Sequence, residues 1–178
     1  TSTYERPYEG HAMMEPENAT VSIAENRVDA YVGSQNPPGV ISTIADQLGV
    51  DPVNVYAHNY FLGDGFGRRY LFDNVRQAAE IARQVGRPVK MVWTREEDTM
   101  QCKQRPMGGI RFSASLGADG LPEAWLSRTY GSGRRVTDMV YSVPNRLHEE
   151  HVLESNIPTF AHRAPGSGVN GFMLESFA

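Results

Sequence analysis

The sequence predicts an α+β fold, a two-layer domain in which helices cover one face of a mixed sheet. Three observations carry this expectation. Two pairs of β-rich segments, 20–24 with 28–33 and 110–116 with 123–130, are each joined by a short turn and read as hairpins. Two segments of helical apolar period, 40–48 and 73–85, lie between strand candidates, so each crosses over from one strand to another. A glycine-rich turn, residues 61–70, joins a strand candidate to the second of these helices.

Taken in order, residues 1–16 are polar and rich in turn formers and read as an irregular entry segment. Glu15 and Glu17 flank a proline there, and both read as capping or surface residues. The first hairpin turns at Glu25-Asn26-Arg27. A loop at 35–39 leads into a helix whose positions Val40, Ile41, Ile44, Ala45 and Leu48 share one face, and Gly49 stops it. Residues 53–58 form a strand. In the helix 73–85 the buried stripe is Val75, Ala78, Ala79, Ala82 and Val85. Residues 88–93 form a further strand, and Thr94 caps an acidic turn in which Glu96, Glu97 and Asp98 read as a solvated run. The second hairpin turns through Asp119-Gly120. Residues 131–152 show no clear element beyond a loop at 141–145. A second glycine-rich loop, 162–170, precedes a terminal helical pattern. One domain spanning 1–178 is expected, and a chain that opens on Thr1 and stops inside a helical pattern reads as a piece of something longer.

Composition narrows the function classes. A net charge of −4, from 21 acidic and 17 basic residues, leaves no electrostatic footprint for nucleic acid. No apolar run approaches the roughly 18–20 residues of a membrane-spanning helix. Cys102, the one cysteine, excludes an internal disulfide and cannot build a thiolate metal site by itself. The five histidines lack metal-ligand spacing. No serine stands in a nucleophile-elbow context, and Cys102 has no histidine near it in sequence.

The glycine turn contains Gly63, Gly65 and Gly67, which free the backbone for positive φ and close approach to a ligand. With Arg68 and Arg69 behind it, the turn suits an anion such as phosphate, and it equally suits a plain strand-to-helix connection. The spacing G-x-G-x-G misses the dinucleotide fingerprint, and no Gly-Lys-Ser/Thr follows to make a P-loop. Arg163, beside Gly166 and Gly168, offers a second anion clamp, and Gln35 is a polar side chain at a strand end.

Six segments in register carry a resemblance: His11-Ala-Met-Met-Glu-Pro-Glu-Asn18, Ser34-Gln-Asn36, Leu62-Gly-Asp-Gly-Phe-Gly-Arg-Arg69, the stretch 86–98, Tyr141-Ser-Val-Pro-Asn145 and Arg163-Ala-Pro-Gly166. The chain resembles the molybdenum-cofactor-binding large subunit of the xanthine oxidase family, most of all its isoquinoline 1-oxidoreductase β-subunit branch. The resemblance covers only the middle of such a subunit. It implies a molybdopterin-binding domain segment of a hydroxylase that oxidises an N-heteroaromatic compound or an aldehyde with oxygen from water. It implies a molybdenum–pterin cofactor, with or without a cytosine dinucleotide extension, and 2Fe–2S clusters in a small partner subunit. The metal is then held through the pterin and not by this chain. The remaining partners are the rest of the large subunit and a small-molecule substrate, with no nucleic acid and no membrane span.

By the same resemblance Gln35 is the catalytic contact, hydrogen-bonded to an oxygen ligand of molybdenum. Gly65, Phe66, Gly67 and Arg68 lie along the cofactor, and Arg163 and Ala164 face it from the second loop. Tyr70 and Pro165 stand where the xanthine enzymes place a substrate-binding glutamate and a stacking phenylalanine. Arg134 or Arg135 takes the role of their substrate arginine, and Asp64 replaces a usual glycine. The catalytic glutamate falls outside the segment. The resemblance leaves the compartment open between bacterial cytoplasm and periplasm, relatives being often exported by a twin-arginine signal. A stand-alone phosphate- or nucleotide-binding module is the alternative function.

Overall fold

The structure, a computed structural model, describes residues 1–131 and 139–178; Arg134 and Arg135 lie outside the described residues. The chain forms two units, His11–Cys102 and a second made of Thr1–Gly10 with Lys103–Ala178, where the sequence was read as one domain segment. The α+β class holds in both. The expected mixed sheet is two four-stranded sheets, each with one parallel pair.

In the unit 11–102 the hairpin forms as expected, from β2 (Asn18–Ala24) and β3 (Arg27–Val32). Helix α1 (Pro37–Leu48) crosses over to β4 (Val55–Asn59), which pairs parallel to β3. Helix α2 (Asp73–Val85) then carries the chain to β5 (Val89–Val92), antiparallel to β2, giving the order β4-β3-β2-β5. Alternation sends Ala19, Val21, Val28, Ala30 and Val55 to the helix-covered face, where they meet Val40, Ile44, Val75, Ala78 and Ala82 in one core. Helix α1 starts at Pro37, earlier than its apolar stripe, because the Asn36 side chain accepts from the Gly39 N–H and proline suits the first turn. Gly49 and Gly86 end α1 and α2 in the left-handed conformation. Val85 departs from its expected stripe: at the last position of α2 it is 56% exposed. The acidic turn is a short helix, α3 (Arg95–Met100), capped by Thr94; its Asp98 is buried and paired with Arg95 rather than solvated.

In the other unit the expected hairpin is β6 (Gly108–Leu116) with β7 (Pro122–Gly131). Two strands unforeseen in the sequence flank it. The entry segment contains β1 (Ser2–Arg6), antiparallel to β6, and the unassigned region contains β8 (Asn145–Val152), parallel to β7. Both are edge strands, polar along much of their length, so neither shows the apolar signature of a buried strand. Helix α4 (Ser167–Phe177) brings Met173 and Leu174 to Ile110, Phe112 and Trp125, and Phe177 stacks on Phe112 at 5.0 Å.

The contrast between Ile44 and Val85 tests this packing. Ile44→Ala should cost about 2–5 kcal/mol, the range for emptying a filled core site. Val85→Ala should stay within about 0.5 kcal/mol, as for an exposed position. Denaturant midpoints of the two variants are the measurement.

Candidate functional site

The parallel pairing of β3 with β4 brings the ends of both strands to the same edge of the sheet. Residues 33–36 leave one, and residues 60–67 leave the other. The loop 63–70 is shaped by three consecutive demands. Asp64, Phe66 and Gly67 have φ of 75°, 51° and 106°. Aspartate tolerates the left-handed region better than most residues, which suits it to position 64. A Cβ on Gly65 would stand 2.5 Å from Gln35 Oε1, and a Cβ on Gly63 would stand 2.6 Å from the Glu15 Cβ. Both glycines are there because other groups pass so close.

Gln35 is fixed at both ends of the residue. Its backbone N–H donates to the Arg69 carbonyl at 3.1 Å, and its Oε1 accepts from the Gly67 N–H at 2.9 Å. That second bond assigns the side-chain oxygen to the loop and leaves the two N–H donors on Nε2 outside it. Gln35, Gly65, Phe66 and Gly67, expected together from sequence, are together in the structure. Tyr70 follows on the next turn, its N–H bonded to the Gly67 carbonyl and its side chain half exposed.

Arg68 is a correction, and so is the notion that the two arginines offer charge to an anion. Both guanidinium groups are buried and turned inward. Arg68 donates to both Asp73 carboxylate oxygens, at 2.9 and 2.8 Å, and its guanidinium lies 5.5 Å over the Trp93 ring. Arg69 donates to the carbonyls of Asp64, Gly33 and Glu15, and to Glu15 Oε2 at 3.0 Å. Their positive charge is spent inside the unit. What the loop can present to a ligand is its backbone and the Gln35 amide.

Glu15 and Glu17 are also corrected, from surface residues to parts of this cluster. Glu15 accepts from the Gly63 N–H at 2.7 Å and from Asn18 at 2.8 Å. Burial works against its charge, but those two donors and Arg69 outweigh it and hold the carboxyl below the usual range. Glu17 is fully buried behind both arginines. No local signal marked either one, because their partners lie about fifty residues away in sequence. Cys102 does have a histidine neighbour, His11 Nδ1 at 3.4 Å from Sγ, and this contact joins the two ends of the unit.

Arg163, Ala164 and Pro165 belong to the other unit and are exposed there. Arg105 holds their loop from behind: it pairs with Glu9 at 3.1 Å and donates to the Arg163 carbonyl at 2.7 Å. Ala164 takes φ of 56°, and its carbonyl accepts from the Gly168 N–H at the start of α4. The backbone of this loop, like that of the first, is turned by a left-handed residue. Among the described residues no cluster of three or more His, Cys, Asp or Glu could hold a metal ion.

The profile of the molybdopterin cofactor-binding domain family matches residues 1–177, and the chain belongs to that family. It is 38% identical over 106 residues to the isoquinoline 1-oxidoreductase β subunit of Brevundimonas diminuta, covering 59% of this chain and 14% of that one. It is 29% identical over 185 residues to the aldehyde oxidoreductase molybdenum-binding subunit of Escherichia coli, covering 98% and 25%. The fold matches quinoline 2-oxidoreductase from Pseudomonas putida 86 with a TM-score of 0.79 at 18% identity, over 93% of this chain and 24% of that one. Aldehyde oxidoreductase from Desulfovibrio gigas matches with a TM-score of 0.78, also at 18% identity, over 97% and 21%. The chain thus spans a quarter or less of the length of these relatives.

Arg69→Met should destabilise the unit by about 3–5 kcal/mol, because it strands Glu15 and three carbonyls around a missing cation. Arg69→Lys should recover little of this, since an ammonium cannot serve a planar fork of acceptors. Urea unfolding of the three proteins is the check.

Proposed function

We propose that this chain is the cofactor-facing segment of a molybdenum hydroxylase that oxidises an N-heteroaromatic compound or an aldehyde, with water as the oxygen source. The observation that carries the reading is the Gln35–Gly67 hydrogen bond, which leaves the Gln35 Nε2 donors free to meet a polar ligand beside the loop. The residues present fit a molybdenum–pterin group. Gly65, Phe66 and Gly67 supply a closely approachable backbone, and the family resemblance adds the backbone of Arg163 and Ala164. When bound, the group supplies the two-electron redox chemistry. The chain's part is to orient the group through Gln35; Tyr70 and Pro165 are the substrate-facing residues that the family resemblance assigns.

Relatives support the substrate class, since their names specify isoquinoline, nicotinate and aldehydes. A small subunit with 2Fe–2S clusters, the rest of the large subunit, and a cytosine dinucleotide form of the pterin complete the proposal. The alternative, a phosphate- or nucleotide-binding module, loses its main support because Arg68 and Arg69 are neutralised internally.

In the full-length enzyme, Gln35→Ala should lower kcat by about ten- to a hundredfold, the worth of one hydrogen bond to a charged or strongly polar group. Molybdenum content should be largely kept. Wild-type turnover in the metal-loaded variant removes Gln35 from the site.

Substrate preference follows from Tyr70 and Pro165. A xanthine-binding pocket grips a polar edge with charged side chains, and a polar site rejects analogues that leave its groups unpaired. A phenol and a proline ring favour flat, weakly polar molecules instead. An isoquinoline-like heterocycle or an aromatic aldehyde should give a higher kcat/KM than xanthine with one artificial electron acceptor. Xanthine as the best of the three overturns the assignment of these two residues.

A further inference from the structure

A buried carboxylate that the proposed function leaves unused sits directly behind the glycine loop. Glu17 is 1% exposed. Its Oε2 accepts from Asn74 Nδ2 at 2.8 Å, and its Oε1 has no hydrogen-bond partner among the described residues. Arg68 Nη1 lies 3.8 Å from Oε1, and Arg69 Nη1 lies 3.7 Å from Oε2. Each arginine already has a closer carboxylate, Asp73 for Arg68 and Glu15 for Arg69. Neutralising the two cations therefore does not require Glu17. Its distinction is reach: among the described ion pairs it alone approaches both arginines.

We propose that Glu17 is a positioning residue for the loop 63–70, coupling Arg68 and Arg69 so that the loop backbone and the start of α2 keep one geometry. The importance of that geometry for the cofactor rests on the function proposed above. Arg69 holds the loop through the Asp64 carbonyl, and Arg68 holds α2 through Asp73. Glu17 is the group between these two attachments, and Asn74 fixes it to the same helix.

The charges facing Glu17 are Arg68 and Arg69 from the loop, Asp73 from α2 and Asp98 from α3. Burial is the largest influence and pushes the carboxyl up to about 7, against the two arginines and with the help of the two aspartates. Where opening admits water to Glu17, the burial effect is lost and the group returns toward its ordinary value of 4.5. Between these values the closed loop retains a proton that the open loop releases. Opening is therefore favoured as pH rises, by up to about tenfold per pH unit, and the effect levels off above the folded-state value. The slope reports the buried carboxyl itself; its reach to both arginines is read separately, from a side chain one methylene shorter.

The test is hydrogen exchange of residues 61–72 in the full-length enzyme from about pH 5 to 8, corrected for intrinsic rates. Wild-type protection should fall by up to about tenfold per unit between about pH 5 and 7. Glu17→Gln, which keeps the shape without titrating, should give a flat profile. Glu17→Asp, too short to reach both arginines, should show lower protection throughout. A flat wild-type profile overturns the inference, and so does an undiminished slope in Glu17→Gln. If Glu17→Gln does not fold, Glu17→Asp decides, and protection equal to that of the wild type throughout overturns the inference. Molybdenum content of the same samples separates this inference from the proposed function. A loop that opens with pH while metal is fully retained leaves the role of Glu17 standing and removes the loop from the cofactor site.

Discussion

The loop region depends on one buried cation. Arg69 donates to three backbone carbonyls and one carboxylate, drawn from the entry segment, the end of β3 and the loop itself. A buried guanidinium is costly unless its donors are met, and here the acceptors surround it in the planar arrangement that only arginine matches. The interaction also works in the reverse direction. Carbonyls of an irregular loop have no ladder to satisfy them, and Arg69 takes the place that secondary structure fills elsewhere. Remove it, and three chain segments lose the one group that they share.

Much of the fold was legible because it was written in local patterns. Helix α2 was read at its actual ends, since Ala78, Ala79 and Ala82 mark one face and Gly86 stops it. Both hairpins were visible through their turns. Strands β1 and β8 were not, because an exposed edge strand such as Asn145–Val152 is polar and charged and carries no period of burial. The site was legible in one half only. Glycines betray the path of a backbone, so Gly65 and Gly67 pointed to a close approach, and the resemblance supplied Gln35. What lies behind the loop was read wrongly. Charged residues near glycines look like ligand contacts or surface, and nothing local reveals that Glu15 and Glu17 pair with Arg68 and Arg69 some fifty positions later.

The same cluster explains how a loop with two non-glycine residues at positive φ persists. Strained backbone of this kind costs roughly 1–3 kcal/mol per residue and survives only when its surroundings over-determine it. Here the constraint comes from the Gly63–Glu15 pairing, the Gly67–Gln35 bond and the carbonyl of Asp64 on Arg69. The second loop is built more lightly. Its left-handed residue is Ala164, and Arg105 reaches one carbonyl, that of Arg163.

The bond from Gly67 to Gln35 spans 32 residues of chain. Everything between them, α1 and β4 included, must be in place before the two ends meet, and closing so long a loop is an entropic cost that only the finished core offsets. A chain displaying the glycine motif alone therefore has the letters of this loop without its geometry.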